Sequence, residues 1–136
     1  MKWLLAVVTV FMLAGCGDVE WLPDDGGTGT DASAPNAFTF TMKTAVTPGD
    51  LVQSDSVVIT GDATTSWPIS ISNGASATES KYSINGEPLT DQPGTIRANQ
   101  NLRVSHRTPS TVSTLATTTI KIGTRTGSFQ SQTTAQ

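Results

Sequence analysis

From residue 37 onward the apolar positions recur with a period of two. Phe38, Phe40 and Met42 alternate with Thr39, Thr41 and Lys43, a pattern that gives an extended strand one apolar and one polar face. Val57-Val58-Ile59 is a short β-branched run that stops at Gly61-Asp62. Ile69 and Ile71 flank Ser70 ahead of Asn73-Gly74, and Tyr82 and Ile84 run directly into Asn85-Gly86, the strongest short signal for a hairpin. Leu102, Val104 and His106 share one parity, with Arg103 and Arg107 on the other. Residues 115–122 carry Ile120 and Ile122 on one face, and residues 126–133 close the pattern around Phe129. No stretch of this region shows a helical period. The pattern predicts an all-β domain, a single Greek-key β-sandwich of about seven strands over residues 37–136. Thr117, Thr118 and Thr119 read as water-facing sheet surface, since Thr is β-branched yet polar.

Ahead of the alternating region the pattern changes twice. Residues 3–13 form an apolar run interrupted only by Thr9, preceded by Lys2. That is the length of a signal-peptide core and too short for a membrane-spanning helix, which needs about 20 apolar residues. Residues 16–36 then contain Gly26, Gly27, Gly29, Pro23 and Pro35, and five acids (Asp18, Glu20, Asp24, Asp25 and Asp31) with no basic residue. Such a segment repels itself and cannot bury a core, so it reads as a disordered tether. The twenty residues after Cys16 have a coil end-to-end distance of about 25 Å. Trp21-Leu22 is its one apolar spot, suited to a membrane interface.

Composition sharpens this division. The 136-residue chain has a net charge of −3 and a single cysteine, which excludes an internal disulfide framework and a cysteine zinc site. The charge offers no basic footprint for nucleic acid. With five of the eleven acids in the tether and Lys2 in the leader, residues 37–136 hold six acidic and seven basic residues. The acidic character belongs to the tether.

Leu13-Ala14-Gly15-Cys16 resembles the lipobox of bacterial lipoproteins. The resemblance implies cleavage of residues 1–15, a diacylglycerol on the Cys16 thiol and an N-acyl chain on its new amine. Two chains suffice for a stable anchor, each buried CH₂ contributing about 0.8 kcal/mol. It further implies a cell-envelope location. The residue after Cys16 is Gly17 rather than the Asp that retains such proteins at the inner membrane, so the outer membrane is expected in a Gram-negative host.

A second resemblance covers residues 37–134. Phe38-x-Phe40, Ser54-Asp55-Ser56-Val57-x-Ile59-x-Gly61, Tyr82-Ser83-Ile84-Asn85-Gly86, Val104-Ser105-His106-Arg107 and Thr118-Thr119-x-x-x-Ile122-Gly123 together resemble an immunoglobulin-like repeat of secreted and surface-attached bacterial proteins. The resemblance implies an Ig-like fold with no shared catalytic residues. The chain departs from it in holding one copy and in carrying extra residues, around 75–81, read as a loop.

Candidate chemistry is sparse. His106 is the only histidine, and no Gly-x-Ser-x-Gly turn is present, so a hydrolase would have no other side chain of this kind as base. Its parity predicts that it points inward. Asp50, Asp55 and Asp62 flank one strand, where calcium ligation and ordinary turn formation are both open, with turn formation the simpler. Arg97, Arg103 and Arg107 form a small basic group, with Arg103 and Arg107 on one outward face. Trp67 precedes Pro68 at a loop–sheet junction, where it either caps the core or stands exposed as a stacking platform. No catalytic residue, metal site or cofactor is expected beyond the lipid on Cys16; Trp67, Arg103 and Arg107 are the candidate binding residues. The expected function is that of a non-catalytic envelope lipoprotein that binds or braces a protein partner. The alternative is a surface-displayed carbohydrate-binding or adhesin-like domain.

Overall fold

The computed structural model describes residues 33–135. Cys16, the leader and most of the tether lie outside the described residues. Nine strands are present and no helix among the described residues: β1 (Lys43–Val46), β2 (Leu51–Gln53), β3 (Val57–Val58), β4 (Ser66–Asn73), β5 (Thr78–Ile84), β6 (Gly94–Arg97), β7 (Asn101–Arg107), β8 (Leu115–Ile122) and β9 (Arg125–Thr133). They form an all-β sandwich. One sheet has the order β1-β9-β8-β4-β6; in the other, β7 is central, with β2 and β3 end to end on one side and β5 on the other.

The count is nine rather than about seven because two strands carry too little pattern to announce themselves. β2 has one buried apolar residue, Val52, and β6 has one, Ile96. At the N-terminal end, Phe38 and Phe40 pack against the core as expected, but Met42 is exposed and the ladder begins only at Lys43. The expected loop at 75–81 is also corrected: it crosses between sheets and enters β5 at Thr78.

The core lies between the inner faces. Ile69 of β4, Ile96 of β6, Ile120 and Ile122 of β8 and Phe129 of β9 meet Val52, Tyr82, Leu102 and Val104 from the opposite sheet. Pro68 is tolerated inside β4 because its carbonyl accepts from Gly123. Its nitrogen therefore faces the side where β8 has already ended, and no ladder bond is lost.

The domain begins before residue 37. Ala34 and Pro35, assigned to the tether from composition, are buried. Asn36 N–H donates to the Thr60 carbonyl (2.8 Å), Thr124 N–H to the Ser33 carbonyl (3.1 Å) and Arg125 Nε to the Pro35 carbonyl (2.8 Å). Residues 33–36 thus form a strap across one end of the sandwich, held chiefly by backbone groups that composition does not reveal.

Candidate functional site

His106 lies on β7 and points into the sandwich, fully buried. Its Nδ1 is 2.9 Å from Thr118 Oγ1 on β8, and its Nε2 is 2.6 Å from Ser131 Oγ on β9. Thr118 Oγ1 in turn lies 2.6 Å from Ser80 Oγ on β5. The imidazole therefore ties one sheet to the other through two hydroxyls. Phe129 covers the ring at a centroid distance of 4.8 Å. A bulge lies beside Ser80: between Thr78 and Lys81 the register with β7 shifts, with Glu79 at φ 50°. Ser80 keeps the inward parity of Tyr82, and the extra residue re-aims the side chains before it.

A neutral imidazole satisfies this network either way. One ring N–H donates to a hydroxyl while the other hydroxyl donates to the bare nitrogen. A protonated ring would be a buried charge, and its ring nitrogens bond hydroxyls rather than a carboxylate. Burial accordingly holds its pKa down at about 4. The arrangement serves to fasten the core rather than to activate a nucleophile at an accessible surface. Thr118, read from sequence as sheet surface, is here corrected to a buried core hydroxyl. Its parity with Ala116, Ile120 and Ile122 was the available signal.

Trp67 is also interior, at 1% exposure. Its ring lies against Gly61, so close that a Cβ there would stand 2.8 Å from it. Of the two roles left open by the sequence, it takes the capping one; as a candidate stacking platform it is corrected. Tyr82 is buried as well, its hydroxyl donating to the Gln92 carbonyl at 2.7 Å.

The three arginines do not form one group. Arg97 is on β6, in the other sheet from Arg103 and Arg107 on β7. Arg107 pairs with Glu79 (3.1 Å) and donates to the Gly49 carbonyl (2.9 Å). The Arg103 side chain has no hydrogen bond or ion pair among the described residues. The register adds a residue the sequence reading missed: Lys81 stands opposite Ser105, between Arg103 and Arg107 on the outer face. Ser105 itself is fully buried there, and its hydroxyl has no partner among the described residues.

The aspartates behave as turn and surface residues. Asp62 Oδ1 accepts from Thr64 N–H (2.8 Å) and Thr64 Oγ1 (2.7 Å), which lower its pKa, and Asp55 pairs with Lys43 at 2.8 Å. No group of three metal-ligating side chains occurs among the described residues.

Comparison with known proteins adds no family to this picture. No protein-family model and no curated protein matches the chain.

Proposed function

We propose that the protein is a non-catalytic, lipid-anchored component of the cell envelope whose sandwich domain holds a protein partner by strand addition. The anchor rests on the lipobox ending at Cys16. The docking role rests on one observation, the outer edge formed by β2 and β3. No described strand pairs with that side. The bonds to β7 fall at Asp50 and Ser54, so the backbone groups of Leu51 and Gln53 face outward. Such groups are a template for an added strand. Two of the large apolar side chains that the domain leaves exposed flank this edge, Leu51 at 49% and Val58 at 52%. With Trp67 and Tyr82 buried, the glycan-stacking alternative loses its aromatic platform.

The test is photocrosslinking in intact envelopes, with a photoreactive residue at position 51 or 58 and a control at position 95 on β6. A discrete adduct is expected from 51 and 58 and none from 95. In a Cys16→Ser chain, labelled palmitate should not be incorporated and the adduct should vanish. Crosslinks equal at all three positions, or palmitate labelling that survives the substitution, would sink the reading.

A further inference from the structure

One groove on the outer face is rich in hydrogen-bond donors. It lies where β3, β7 and the Asn85-Gly86 turn after β5 meet, encloses about 280 Å³, and is lined by Ser56, Ser83, Asn85, Gly86, Asn101 and Arg103. Each of its amide oxygens already accepts one hydrogen bond. Asn85 Oδ1 accepts the backbone N–H of Asn101 at 2.9 Å, which fixes the orientation of that amide because a backbone N–H can only donate. Asn101 Oδ1 accepts the Ser56 hydroxyl at 3.5 Å, and the Ser83 hydroxyl donates to the Glu87 carbonyl at 2.5 Å. The remaining capacity consists chiefly of donors: Nδ2 of Asn85, Nδ2 of Asn101 and the guanidinium of Arg103.

No acid lines the groove. Of the acids near it, Glu79 and Asp55 are engaged by Arg107 and Lys43, while Glu87 directly follows Gly86 and is exposed. Beside the groove the face carries Lys81 across from Ser105, and Arg107 beyond it is the partner of Glu79. We propose that this groove binds one anionic oxygen group, a carboxylate or a phosphate, with Arg103 supplying the charge and the two amide NH₂ groups completing the donor set. A planar guanidinium presents a fork that matches both anions. The groove borders β3 of that edge, but it is formed by outer-face side chains rather than by the edge backbone, so it does not depend on the strand-addition reading.

The test titrates the isotopically labelled full chain, in uncharged detergent micelles, with inorganic phosphate, glucuronate and neutral glucose in turn. Arg103 Nε and the side-chain amides of Asn85 and Asn101 are followed by NMR. Saturable shifts are expected with phosphate or glucuronate and none with glucose, and added salt should weaken them. The tighter anion distinguishes a phosphorylated ligand from an acidic sugar. Arg103→Gln should weaken binding by about tenfold or more, as expected for losing a charge-assisted hydrogen bond. Arg103→Lys, which keeps charge without the fork, should fall between, and Arg97→Gln on the other sheet should bind as the parent does. Anion shifts unchanged by Arg103→Gln, glucose acting as well as glucuronate, or no saturable shift with either anion would each overturn the proposal.

Discussion

At the scale of single residues, the most consequential choice is a histidine where a hydrophobic side chain would fill the same space. His106 continues the inward face of Leu102 and Val104, yet it comes with hydroxyl partners on β8 and β9. The sign of its effect on stability follows from its pKa. In the unfolded chain the imidazole titrates near 6.5; in the fold it stays neutral down to about 4. Between those values the unfolded chain binds the proton and the folded chain does not, so stability falls as pH falls through that window. It is fully present above the window and levels off below it. The expected loss is roughly 3 kcal/mol across the window. Urea unfolding of the parent at pH 7, 5.5 and 4 should show it. His106→Leu should be less stable than the parent at pH 7, because the buried Ser131 hydroxyl loses its imidazole partner at a cost of about 1–3 kcal/mol, while Thr118 keeps Ser80. It should also lose that group's share of the pH dependence. A Leu variant with the parent's pH slope would show that other groups produce it.

At the scale of elements, two glycines separate conformational cost from steric cost. Asn85 and Gly86 both have positive φ (52° and 81°), and Glu87 N–H donates to the Ile84 carbonyl, the geometry of a type I′ turn. A Cβ at Gly86 meets nothing within 4 Å. Gly86→Ala should therefore cost only the left-handed backbone penalty, about 1–2 kcal/mol, seen as a lower urea midpoint at unchanged m. Gly123 also has positive φ (59°), but there a Cβ would collide with the backbone of Ser33 and Ala34. Gly123→Ala should cost more and loosen the strap, exposing residues 33–36 to limited proteolysis while the Gly86 variant stays resistant. The two glycines also mark how much of the fold was legible. Asn85-Gly86 announces its turn because the signal is local. The strap does not, because it is built from backbone contacts with residues about ninety positions away. The long alternating strands were readable by parity, whereas β2 and β6 each bury one apolar side chain and offer no period to count. The same reasoning covers the candidate site. Arg103 and Arg107 were visible as an outward pair, but Lys81 and the amides of Asn85 and Asn101 join that region only through cross-strand register and the path of the turn.

At the scale of the whole molecule, the order of strands makes the sandwich a single cooperative unit. Every connection passes from one sheet to the other except β2 to β3 and β8 to β9. The first strand, β1, lies parallel to the last, β9, pairing Lys43 with Ser131 and Val46 with Thr133. β9 also brings Phe129 into the core and Ser131 to His106. Of the seven strand pairs only β8–β9 joins consecutive strands, so chain-closure entropy is met before most of the burial is gained. Folding should be slow for a domain of this size, in the millisecond-to-second range typical of β-sandwiches. Near-UV and far-UV circular dichroism should give one coincident unfolding transition. Ending the chain after Ile122 sharpens the test. The truncated chain keeps eight of the nine strands yet loses the one that β1 and β8 both pair with and that supplies Phe129. It should show no cooperative transition. A truncated chain that still melted cooperatively would mean that β2 to β8 form a stable unit without β9. The Phe129 and Ser131 contacts would then fasten an edge of the domain rather than complete its core.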